Sequence, residues 1–195
     1  MYITNENCKV NGILGKISIL FLVLLHIFPL YSQVTKDEHP VRMEEYPLKV
    51  WIISRFLDFV KWPIGSETNQ GSAQFVIGII GDTPMMEYKK QFSEKIRLPG
   101  KTLIVKNFTA LEEIAGCHVL IIGDSESKRL AKILAITENK PILTIGDTEG
   151  FGKTGVLINL YTSGRKVKFE INIPAVQKSG LLFSSKLYKL ARIIK

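Results

Sequence analysis

Three apolar runs in this chain end in the same three-residue grammar. Phe75–Ile80 runs into Gly81-Asp82-Thr83, Val119–Ile122 into Gly123-Asp124-Ser125, and Ile142–Ile145 into Gly146-Asp147-Thr148. Short β-branched runs broken by glycine and a polar residue have the pattern of buried strands. Three of them, separated by helical stretches, predict βα units in a largely parallel sheet. Lys101–Phe108 supplies another strand. Met85–Phe92 and Ser127–Thr137 are predicted covering helices, and Leu111–Ala115 a short helical turn.

If those three strands are parallel, Asp82, Asp124 and Asp147 lie at the carboxyl edge of the sheet, where open α/β folds bind ligands. Converging carboxylates there would suit Mg²⁺, a hard cation that takes oxygen ligands. The other reading is that each Asp, with its Thr or Ser neighbour, caps a following helix or turn. Capping explains the repeat without convergence, and we assign no metal, cofactor or catalytic residue on this pattern.

After Pro141 the grammar changes. Val156–Tyr161 and Lys166–Asn172 flank a polar turn, Thr162–Arg165, and predict an antiparallel hairpin. Ser184 and Ser185 offer N-cap oxygens to a terminal helix whose Leu187, Leu190, Ala191 and Ile194 fall at i, i+3, i+4 and i+7. The expected fold is therefore a single α/β domain: a largely parallel sheet flanked by helices, with a C-terminal antiparallel hairpin and a terminal helix.

Upstream, Tyr46–Lys61 is predicted as the first helix. Leu48, Val50, Ile52, Ile53, Phe56, Leu57, Phe59 and Val60 form one wide apolar face, and Ser54, Arg55, Asp58 and Lys61 gather opposite. Trp62-Pro63 ends it, because proline disfavours the α conformation in the preceding residue. Trp51 projects among the polar residues. It either packs beneath the polar segment before the helix or anchors a partner.

Asp147, Gly150-Phe151, Ile158-Asn159, Gly164-Arg165, Phe169–Asn172 and Ser184–Ala191 occur in that order. In this series the chain resembles the YfiR/HmsC-like periplasmic proteins. Phe59, Trp62 and Pro63 are similar to the Phe-x-x-Trp-Pro ending of their first helix. The resemblance covers roughly Tyr46 to Ile194. At the Tyr-Asn usual in mid-helix this chain has Ser54-Arg55, so no role is carried over to that pair. The resemblance implies regulation without catalysis: family members act in the periplasm, and the best-known one represses a membrane-bound diguanylate cyclase by binding its periplasmic part. The implied partner is a membrane-bound sensor enzyme, a diguanylate cyclase or kinase, within cyclic-di-GMP or biofilm signalling.

The N-terminal pattern agrees with export. Ile17–Leu30 follows Lys9 and Lys16 and precedes small Ser32. It is shorter than the roughly 20 residues of a membrane span and fits an h-region of about 7–15. Residues 1–32 are expected to be a signal peptide cleaved before Gln33, with an uncleaved anchor as the alternative. Residues 33–45 would be a flexible leader, and residues 46–195 the α/β domain.

The remaining residues narrow the function classes. The formal net charge is +8. That favours anionic lipid headgroups or an acidic partner in an exported protein. The basic residues are scattered without zinc-finger or helix-turn-helix spacing, which argues against nucleic acid. Cys117 alone survives removal of residues 1–32, so it is either a small buried hydrophobe or a bridge between two copies in a homodimer. Cys117-His118 is no catalytic dyad, since adjacent strand residues point to opposite faces. Gly150–Gly155 lacks phosphate-loop spacing. Arg165 and Glu170, with Asn159 and Asn172, either satisfy one another and the turn or form a polar rim around a ligand or partner groove. The partner-binding candidates are Trp51, Arg165 and Glu170. A small-ligand sensor with an apolar pocket is the rival reading.

Overall fold

The repeated runs do pair side by side. In the computed structural model, residues 39–63 and 73–195 are described, with side chains from Glu45 onward. The predicted signal peptide, its cleavage site and residues 33–38 of the predicted leader lie outside the described residues. In chain order the elements are α1 (His39–Phe56), β1 (Val60–Lys61), β2 (Gln74–Ile80), α2 (Lys89–Lys95), β3 (Thr102–Phe108), β4 (Val119–Ile122) and α3 (Leu130–Thr137). There follow β5 (Leu143–Gly146), α4 (Phe151–Thr154), β6 (Ile158–Ser163), β7 (Lys166–Asn172), α5 (Ile173–Ser179), β8 (Leu182–Phe183), α6 (Ser185–Leu190) and β9 (Arg192–Ile194). Three 3₁₀ turns, Pro84–Tyr88, Leu111–Gly116 and Asp124–Lys128, fill predicted helical positions.

The main sheet has the order β3-β2-β4-β5-β6-β7-β9. Strands β3 through β6 run parallel, β7 turns back antiparallel to β6, and β9 lies parallel to β7. β3 lies on one side of β2 and β4 on the other, so the order reverses between β2 and β4. That is a topological switch point.

Side chains of the strands alternate between two cores. Val50, Ile53 and Phe56 of α1 join Ile77, Ile79, Val119, Ile121, Ile158 and Leu160 in one. Ile80, Leu120 and Ile122 join Ile114, Ile133 and Phe151 in the other. Cys117 falls in the second core, while His118 stacks on Phe75 of the first at 4.4 Å. The dipeptide thus straddles the sheet.

Several boundaries differ from expectation. α1 starts at His39, within the predicted leader, and ends at Phe56, because Val60–Lys61 pairs antiparallel with Leu182–Phe183. Leu48, predicted for the buried face, is exposed, and Ser54 is buried with its hydroxyl donating to the Trp51 carbonyl at 2.6 Å. The hairpin turn is tighter than predicted: Ser163 pairs with Lys166, and Gly164 takes a φ of +61°. Positive φ at the first of two turn residues is glycine's role in a tight hairpin.

The terminal helix stops at Leu190. Arg192–Ile194, predicted to continue it, forms an edge strand against β7. α5 was not anticipated, although Asn172 caps it by accepting from the Ala175 N–H at 2.8 Å and Gly180 follows in the left-handed conformation.

Candidate functional site

The three Gly-Asp turns meet at the switch-point edge. Asp82, Asp124 and Asp147 line one cleft of about 680 Å³ with Tyr46, Thr83, Pro84, Met86, Glu87 and Thr148. The three carboxylates thus share the wall of one cleft.

Among the described residues the capping expected of each Asp with its Thr or Ser neighbour is met at the first turn alone, and there by the Thr and not the Asp. Thr83 does that work for its turn, accepting from the Met85 N–H at 3.3 Å. The glycines are explained by close approach. A Cβ on Gly123 would lie 2.4 Å from the Asp82 carbonyl oxygen, and one on Gly81, at φ +76°, 2.5 Å from Glu126 Cγ. The β2 and β4 turns interlock further through the Asp82 N–H, which donates to Ser125 Oγ at 2.8 Å. Repetition of the glycine therefore reflects close packing at each strand end, against backbone at Gly123 and against side chains at Gly81 and Gly146.

The third turn is met by a lysine that sequence reasoning missed. Lys49, on α1, is 4% exposed, and its ammonium lies 2.9 Å from Asp147 Oδ2 and 2.6 Å from Glu45 Oε1. It also sits 4.6 Å from the centroid of the Tyr46 ring. Burial by itself would lower its pKa, but Asp147 and Glu45 outweigh that and hold it above the ordinary value. Glu45 in turn accepts from Thr162 Oγ1 at 2.7 Å, tying α1 to the hairpin. A helical-wheel reading gave no signal for this pairing, because its partners are 98 residues apart. Among the described residues no group of three or more His, Cys, Asp or Glu is placed to hold a metal ion.

The predicted hairpin cluster divides. Glu170 is buried, and Asn159 Nδ2 donates to its Oε1 at 3.3 Å and to the Thr148 carbonyl at 2.9 Å. Its ionic partner is Arg192 on β9, whose Nε donates to Oε2 at 3.0 Å and whose Nη2 approaches the same oxygen. That bond holds the Arg192 pKa above its ordinary value. Arg165 stands apart, exposed in the turn. Asn172 donates to the Gly152 carbonyl at 2.8 Å. Gly152 is needed beneath this cluster, since a Cβ there would lie 2.3 Å from Glu170 Oε1. So Glu170 does not reach an exposed rim with Arg165.

Trp51 is 45% exposed on α1, one turn beyond Leu48 at 41%, and the Arg55 guanidinium lies 5.8 Å from its ring centroid. Cys117 is buried, and burial pushes its thiol up to about 12. Two further clefts occur. One, of about 450 Å³, lies between α3 and α5 around Leu134, Ala175 and Lys178; the other, of about 370 Å³, includes Trp62, Phe75 and His118. No helix among the described residues is long and apolar enough to cross a membrane.

Comparison with known proteins adds one strong match. A family model described as YfiR/HmsC-like matches residues 46–192. No curated protein matches the chain. Among solved structures, a conserved domain protein from Vibrio cholerae O1 biovar eltor is 12% identical, with 77% of this chain and 60% of that chain covered at a TM-score of 0.51. The ABC domain in complex with L-Trp from Streptococcus pneumonia is 10% identical, with 62% and 55% covered at a TM-score of 0.47. The chain thus spans less than two thirds of the length of either solved structure, and the first of these likenesses is one of fold alone.

Proposed function

We propose that this chain, which belongs to the YfiR/HmsC-like family, is an exported, non-enzymatic regulator that acts in the periplasm on a membrane-bound signalling enzyme. The enzyme would be a diguanylate cyclase or a kinase, bound through its periplasmic part and repressed or otherwise modulated. Family membership over residues 46–192 is the observation that carries this reading. Exposed Trp51, with Leu48 beside it, supports it by supplying the aromatic anchor that such interfaces favour. A regulator must bind one conformation of its target better than another, since only differential affinity shifts an equilibrium.

The test is Trp51→Ala. An exposed anchor predicts a nearly unchanged melting temperature and weakened pull-down of the membrane enzyme, with cyclic-di-GMP rising if that enzyme is a repressed cyclase. A large drop in melting temperature would assign Trp51 to packing and remove the proposed contact.

The switch-point cleft supports a second reading, a small-ligand sensor, because it is large enough for a metabolite and sits where open α/β folds bind ligands. A thermal shift on adding envelope metabolites, lost on Tyr46→Ala with the fold retained, would favour it.

A further inference from the structure

The half of the sheet around the β6–β7 hairpin carries a cationic face that neither reading uses. Register fixes its composition: Tyr161 pairs with Lys168, Ser163 with Lys166, and Glu170 with Arg192 across β6, β7 and β9. Cross-strand partners point to the same face, and along β7 the residues Val167, Phe169 and Ile171 take the opposite one, against the α1 core. On the polar face, the deepest row, Asn159 and Glu170, lies against Gly152 of α4. The rows nearer the turn are open: Ser163, Lys166 and Lys168 are exposed, as is Arg165 in the turn. Arg192, with its side chain 58% exposed, lies 4.3 Å from the Tyr161 ring centroid.

The residues of this array line none of the three clefts described above. Its charge comes chiefly from lysines, which are hydrated point charges on flexible stems and suit a diffuse anionic surface better than one fixed carboxylate. Arg192 is already committed to Glu170. Tyr161 supplies an amphipathic ring of the sort that settles at a headgroup boundary.

We propose that this hairpin face docks on an anionic phospholipid bilayer surface. The attraction is Coulombic and additive over Arg165, Lys166 and Lys168, and it falls off within a Debye length. It requires no enzyme partner, so it stands or falls separately from the proposed function.

The test is co-sedimentation of the protein purified from the envelope with vesicles of phosphatidylcholine alone and of equimolar phosphatidylcholine and phosphatidylglycerol. Binding is expected only to the anionic vesicles and is expected to be lost in high salt, a readout that needs no variant. Lys166→Glu with Lys168→Glu should weaken it by about tenfold or more. Lys95→Glu with Lys132→Glu, the same charge change at exposed positions on α2 and α3, should leave most of it. Equal binding to both vesicles, salt-insensitive binding, or equal losses in the two double variants would overturn the proposal. So would a hairpin variant that binds vesicles normally but loses an acidic protein partner, which would make the face a protein interface.

Discussion

The ammonium of Lys49 and the carboxylate of Asp147 meet at 2.9 Å, joining the first helix to the end of the third Gly-Asp strand. Both side chains are largely buried, at 5% and 9% exposure. Removing one partner leaves the other charge desolvated, a loss of roughly 3–5 kcal/mol for a fully buried pair. Lys49→Met is therefore expected to destabilise by about 3 kcal/mol. Adding Asp147→Asn should restore part of that, measured by denaturant melts of the two single variants and the double.

The same pair sets a pH dependence. The folded-state pKa of Lys49 is raised above 10.5, so its contribution is fully present below that pH and is lost as pH rises through the folded value. Wild type should lose more stability than Lys49→Met on titration from neutral pH to beyond pH ~11. Parallel alkaline melting curves would contradict this.

Gly152→Ala places a methyl 2.3 Å from Glu170 Oε1 and 2.9 Å from Ile194 Cδ1. Overpacking of that kind costs about 1–3 kcal/mol. Combined with Glu170→Ala, which vacates the space, the two changes should be less than additive in a double-mutant cycle. Strict additivity would show that the backbone shifts elsewhere to accept the methyl.

Gly78→Ala should be worse. A Cβ there would overlap the Phe108 ring at 2.1 Å, in the middle of β2, which is paired on both sides. Soluble yield and melting temperature should both fall, and Gly78→Ala with Phe108→Leu should recover part of the loss.

Cys117 should be silent in the folded protein. Its thiol, pushed up to about 12 by burial, carries almost no thiolate at pH 8. A chromogenic disulfide reagent should react with it only after denaturant unfolding. Rapid labelling of the native protein, or a reducible dimer through Cys117, would contradict the buried placement.

Sequence showed the strands well because each central strand is a β-branched run ended by a glycine that close packing requires. It showed Trp51 as an outward residue because a helical wheel is a local construction. Lys49 could not be recognised this way: its role depends on Asp147 and Glu45 being brought to it by the fold. Arg165 was grouped with Glu170 because both lie on the hairpin, whereas the carboxylate's partner arrives on β9 from beyond α6. The terminal helix was overextended because Leu187, Leu190 and Ile194 keep helical spacing, while pairing with β7 holds the last of them extended. α5 had legible signals in Asn172, Pro174 and Gly180, which the neighbouring hairpin pattern obscured.

Among the described residues, the two-residue strand Val60–Lys61 is completed by Leu182–Phe183, and the sheet edge by Arg192–Ile194. Nearly the whole domain must therefore have been made before its first helix can be locked down. Contacts of such wide sequence separation slow folding. A chain wired in this way stays uncommitted until its last strands are present, and takes its final form only when they pair.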